Sequence, residues 1–419
     1  MVKTDKTKIL LDAGVKLGET DEYPQIPDKE LKTVDGIFVS HAHLDHSGYL
    51  PHIFSAGYNG KIYATKPTIE LINVMINDYM RISEPTNVSK EGLAKMQKSY
   101  KILEFKEPFR FKDLTIRFIG AGHILGSAMI SVSDGKETIL YSGDINLVKT
   151  RLLEGAEIHG LSAKTLITES TYSSKKDVFP NETVVTKKML KSIKDTLLAG
   201  GKVIIPTFAV GRGQEVLFLL DDYMNSGLIP KVPIYVDGMI NKAMRIHRHN
   251  VIYCRTELQR RILMSDFDPF KSENFSPIEK ISERSKVVSE DQASIIVTTS
   301  GMITGGPIMY YLTKMGHNSL NKLILVGFQA AGTLGREIQD GARKVKINKS
   351  MVDIGLTVET YHLSAHADRP QLDTLVQRIN GLKNIFIIHG EKVKSEEWRD
   401  DLKAKYHALL PEPLKEYEV

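Results

Sequence analysis

The chain has a single cysteine, Cys254, so no intramolecular disulfide can form, and a reducing compartment suits it. No stretch approaches the roughly eighteen apolar residues of a membrane span, and the start, MVKTDKTKILLDAG, has no apolar leader core. Membrane insertion and secretion are therefore disfavoured, and the expected location is cytoplasmic. Internal repeats, low-complexity tracts and a proline-rich linker are also missing from the sequence. Neither sign of charge dominates. With 56 basic against 51 acidic side chains the net charge is +5, compatible with a polyanionic partner without specifying one.

What is present is ordinary globular material, 42% apolar and 26% charged, in 419 residues. That length exceeds what one hydrophobic core usually fills, so two domains are expected. The runs at 6–14, 34–43, 60–65, 113–123, 128–144 and 165–171 read as strands, while 67–103 has helical period. After residue 175 helices alternate with continuously apolar strands, the pattern of a parallel α/β layer. The segments 354–368 and 384–391 return to strands followed by histidines.

Chemistry concentrates in VSHAHLDHSGYL, residues 39–50. His41 and His43 are two apart, so on leaving a strand both can project to one side, as ligands of one ion must. Asp45 and His46 fall on the following turn, poised for a second ion. His123, Asp144 and His389 each follow an apolar strand elsewhere in the chain. A shared metal centre would draw on such strand ends.

Glycine-rich turns carry weaker signals. Ser300 and Gly301 lie in SGMITGG, Arg336 in AAGTLGR and Arg212 in VGRGQE; each is a candidate phosphate contact, and each also fits a tight turn or an ion pair. KKMLKSIK reads as a solvated helix face and HRHN, residues 247–250, as surface.

LLDAG, HAHLDH, GH and SGD together resemble motifs one to four of the metallo-β-lactamase superfamily. TEST, LSAHAD and IIHGE resemble motifs A, B and C of its β-CASP branch, and SAHAD is similar to the cleavage and polyadenylation specificity factor type. The resemblance implies an α/β fold: a metallo-β-lactamase αβ/βα sandwich with an inserted α/β β-CASP domain. The expected parts are residues 1–175, an insert at 176–350, and 351–419, with substrate threading between the domains.

By the same resemblance His41, His43 and His123 would hold one zinc, Asp45, His46 and His389 a second, and Asp144 would bridge the two. Asp12 would fix ligand orientation rather than ligate. His366 would be a general acid tuned by Glu169, with Asp45 also counted among the catalytic residues. The implied enzyme is a two-zinc ribonuclease that hydrolyses single-stranded RNA through an activated hydroxide, mainly endonucleolytically. A 5′→3′ exonuclease and a non-catalytic RNA-binding subunit are the alternatives. Motif one lies almost at the start of the sequence, and KH modules are not expected. Its N-terminal edge and a C-terminal EYEV strand are candidate edges for a homodimer.

Overall fold

Continuously apolar strands need cover on both faces, and in the computed structural model such runs lie in mostly parallel sheets flanked by helices. The structure describes residues 1–17, 21–83, 85, 87–264, 268–348 and 350–419. The chain divides into two compact units, Met1–Val178 with Ala365–Val419, and Phe179–Ser364.

The first unit is a sandwich of two sheets. One runs in the order Val2–Lys3, Lys8–Leu11, Gly36–Phe38, Lys61–Ala64, Tyr100–Ile102. The other runs His407–Leu409, Asn384–Ile387, Thr165–Thr168, Thr138–Tyr141, Ala128–Ser133, Leu114–Gly120, Pro108–Phe111. Ile9, Phe38 and Tyr63 of the first sheet pack against Leu114, Ile116, Phe118 and Ile130 of the second. On the second sheet's other face Leu140, Leu166 and Ile385 meet Leu372, Leu375 and Trp398, from the helices Arg369–Arg378 and Lys392–Leu402. Burying each such side chain contributes about 1.5–3 kcal/mol.

Register is what builds the site. Thr165–Thr168 pairs in parallel with both Thr138–Tyr141 and Asn384–Ile387. Lys8–Leu11 pairs in parallel with Gly36–Phe38. Parallel strands end on the same edge, so the residues just past them (Asp144, Glu169 and His389 in one sheet, Asp12 and His41 in the other) share an edge although far apart in sequence.

The second unit is a parallel sheet in the order Phe275–Pro277, Ile234–Asp237, Ile295–Thr298, Val203–Pro206, Lys322–Leu325, Thr357–Thr360. A separate antiparallel hairpin joins Lys344–Ile347 to Ser350–Asp353. No described helix is long and apolar enough to cross a membrane.

By packing, the second unit runs on to Ser364, because Thr357–Thr360 pairs with Lys322–Leu325. Three expectations need correction. EYEV is not a strand: the last strand is His407–Leu409, and Glu416 instead pairs with Lys3. Tyr100–Ile102 is a strand rather than the end of a helical stretch. In HRHN, His247 and Asn250 are buried, because Ile240, Ala243, Met244 and His247 form the inward stripe of the helix Ile240–His249.

Candidate metal centre

The turn after Gly36–Phe38 delivers His41 and His43, and the short helix Leu44–Ser47 then turns Asp45 and His46. The segment after Lys8–Leu11 clamps that helix: Ala13 N–H donates to His46 O at 2.8 Å and Val15 N–H to Leu44 O at 2.9 Å. Gly14 permits the approach, since a Cβ there would lie 1.6 Å from Asp45 O.

Two donor sets face each other across Asp144. In the first, His43 Nδ1 lies 3.2 Å from His41 Nε2 and 3.1 Å from His123 Nε2. Asp144 Oδ2 completes it at 3.4 Å from His41 Nε2 and 3.6 Å from His123 Nε2. A tetrahedral cation with ligand bonds of about 2.0–2.1 Å has ligand–ligand edges of about 3.3 Å. In the second set His46 Nε2 lies 3.2 Å from Asp144 Oδ1, and His389 Nε2 lies 3.2 Å from Asp45 Oδ2. His389 Nδ1 is 3.5 Å from Asp144 Oδ1. His46 Nε2 and Asp144 Oδ1 are both buried and neither makes a hydrogen bond among the described residues. Buried polar atoms left this way ask for a cation or a proton.

The electrostatics of the two sets differ. Burial holds His41, His43 and His123 neutral, with His43 lowered to about 3. His123 Nδ1–H donates to Ala365 O at 2.8 Å, which turns the Nε2 lone pair inward. In the second set the carboxylates win. Burial alone would lower His46, but Asp144, Asp12 and Asp45 raise it well above its ordinary range. Asp144, opposed by burial, raises His389 to about 9. Without a metal, protons on these two histidines balance the carboxylates; a cation would displace them.

Asp12 also lies within reach of His41 and His46, but its carboxylate is engaged in hydrogen bonds. Its left-handed backbone, φ 59°, aims both carboxylate oxygens at donors. They accept from Ser40 N–H, Ser40 Oγ–H and His46 Nδ1–H, each at 2.6 Å, and from Tyr141 O–H at 2.7 Å. Sequence reasoning missed Ser40 and Tyr141. The signal for Ser40 was its place beside His41; Tyr141 is 129 residues from Asp12 and gave none.

Glu169 is buried, and its Oε2 lies 2.9 Å from His366 Nδ1. Burial opposes a charge on His366, yet Glu169 and then Asp144 raise its pKa. Glu169 is itself held by Ile145 N–H at 2.7 Å and Thr171 Oγ–H at 2.6 Å. His366 Nδ1 is 3.9 Å from Asp144 Oδ2.

The other candidates lie in the second unit, each after one of three neighbouring strands. Arg212 opens the helix Arg212–Asn225 and is buried. Ser300 and Gly301 form the turn after Ile295–Thr298, where Ser300 Oγ accepts from Thr304 N–H at 2.9 Å and Gly301 O from Gln329 Nε2 at 2.9 Å. Arg336, in the helix Leu334–Gln339, points its Nε to Asp340 at 2.8 Å.

Comparison with known proteins accounts for both units. Residues 1–173 match the metallo-β-lactamase superfamily domain, 213–338 the β-CASP domain, and 351–411 the Zn-dependent metallo-hydrolase RNA specificity domain. Relatives named transcription termination factor FttA, from Methanothermobacter thermautotrophicus and Methanocaldococcus jannaschii, are each 34% identical over 99% of this chain and 68% of their own length. The chain belongs to the β-CASP branch of the metallo-β-lactamase superfamily. The fold is shared at low identity: a protein of unknown function from Enterococcus faecalis V583 superposes with a TM-score of 0.53 at 15% identity, covering 94% of this chain and 82% of its own. A metallo-β-lactamase fold with these two donor sets is built to bind divalent metal.

Proposed function

We propose that this chain is a ribonuclease that holds two zinc ions, one on His41, His43 and His123 and one on Asp45, His46 and His389, with Asp144 shared. The observation that carries the reading is Asp144, whose two oxygens each face one donor set while His366, bound to Glu169, stands 3.9 Å away. Two zinc ions would supply Lewis acidity, lower the pKa of a water and offset charge on a phosphoryl group. Glu169 keeps a proton on His366, and His366 donates it to the departing ribose oxygen. Asp45 contributes its carboxylate beside His389.

RNA as substrate is supported by three things: the RNA specificity match at 351–411, the relatives' name, and the charge distribution. Phe179–Ser364 has 24 basic against 18 acidic residues, whereas the remainder has 32 against 33. The net positive charge thus resides entirely in the β-CASP unit, where a polyanion is best received. Internal cleavage of single-stranded RNA is the favoured mode. Cutting a nascent transcript is the termination step this chemistry would serve.

The test uses zinc-loaded protein and single-stranded RNA carrying a 5′-hydroxyl or a 5′-monophosphate, with Asp144→Ala as control. Internal fragments from both RNAs, absent with the variant, are the expected result. Mononucleotides released only from the monophosphate RNA would make it a 5′→3′ exonuclease. RNA bound but uncut would make it a non-catalytic subunit.

A further inference from the structure

Counting protons around Asp12 shows more than a cap on one histidine. Ser40 Oγ and Asp12 Oδ2 are 2.6 Å apart, and two oxygens at that distance need a proton between them. The carboxylate accepts from three other donors and has none to give, so the proton is the serine's. Ser40 has only one. Its 3.0 Å contact with His41 Nδ1 therefore runs from imidazole to hydroxyl: His41 Nδ1–H donates and Ser40 Oγ accepts. That fixes the His41 tautomer and turns the Nε2 lone pair toward His43 Nδ1 and Asp144 Oδ2.

His46 is fixed the same way with no intermediary, Nδ1–H to Asp12 at 2.6 Å. One carboxylate thus reaches a histidine in each donor set, directly in the second and through a hydroxyl in the first. The relay is dry. Ser40 is 1% exposed and His41 fully buried, and a Cβ on Gly143 would lie 2.7 Å from Ser40 Oγ, so no water replaces the hydroxyl.

We propose that Ser40 is a positioning residue that carries the orienting effect of Asp12 to His41, so that Asp12 governs metal uptake at both positions and Ser40 at the first alone. The proposal rests on the two-ion reading above and deepens it.

The experiment measures Zn²⁺ affinity of the full chain by competition with a chromophoric chelator, in two backgrounds. His389→Ala leaves the first position to be read, and His43→Ala the second. Ser40→Ala should weaken uptake about 10–100-fold in the His389→Ala chain and leave the His43→Ala chain unchanged. Asp12→Asn should weaken both by about that factor. Co²⁺ absorption spectra check which donor set is filled. Ser40→Cys keeps the volume with a weak acceptor, so the same selectivity is expected of it should the alanine chain fail to fold.

Unchanged affinity at the first position, or equal loss at both, would overturn the relay while leaving the metal reading intact. A parent chain that takes up no zinc would overturn both.

Discussion

His46 and His247 are both deeply buried, one in each unit, and their pKa values move in opposite directions. His247 donates Nδ1–H to the backbone oxygen of Ala243 at 2.7 Å, and burial lowers it to about 4. His46 suffers the same burial, yet Asp144, Asp12 and Asp45 raise it well above its ordinary value. The contrast teaches that burial alone does not mark a functional histidine. Buried carboxylates around it do, because they hold charge that a cation can claim.

Removing the shared carboxylate should break the contrast most severely. In Asp144→Ala stripped of metal, His389 should fall from about 9 toward the ordinary range near 6.5, read from imidazole proton resonances across a pH titration. RNA cleavage by the metal-loaded variant should drop on the order of 10³-fold, since both donor sets lose a member. A His389 still near 9 would mean that Asp45, not Asp144, supplies the charge.

The opposite pole is next in size. His247 stays neutral in the folded chain down to about pH 4, whereas in the unfolded chain it protonates near 6.5. Below 6.5 the unfolded state therefore binds a proton that the folded state does not. Stability contributed by this group is full above 6.5 and is lost as pH falls toward 4, by about 3 kcal/mol in all. Denaturant unfolding of the parent chain and His247→Leu at pH 4 to 7 should show the leucine chain losing less stability on acidification. Parallel pH profiles would sink the claim.

Much of this was legible in the sequence, for reasons the contrast makes plain. Short apolar runs followed by His, Asp or Glu marked strand ends, and parallel pairing puts those ends on one edge. The structure brings His41, His43 and His123 within 3.2 Å steps of one another. His247 was legible too and was misread: its spacing from Ile240, Ala243 and Met244 is that of a buried helix stripe, overshadowed by the polar letters around it. The Tyr141–Asp12 bond was not legible, because it joins a strand of one sheet to the residue just past a strand of the other, and neither residue type carries a motif for the other. The boundary at Ser364 was hidden similarly, since Thr357–Thr360 belongs to the second unit through its pairing alone.

His366 stands between the two extremes and offers the finest test. It has one close carboxylate, Glu169, at 2.9 Å, and Asp144 further off at 3.9 Å. Its pKa is raised, with Glu169 the largest cause acting against burial. If His366 is the acid, its active form is protonated, and a raised pKa keeps that form present to higher pH. Glu169→Gln keeps an acceptor for the Thr171 hydroxyl but removes the charge, so His366 should lose its proton sooner as pH rises. The alkaline limb of the rate profile should then move to lower pH, with cleavage down about tenfold at pH 8 and less at pH 6. A loss of equal size at every pH would instead assign Glu169 to holding the Ile145 and Thr171 loops in place, the role its other two hydrogen bonds already perform.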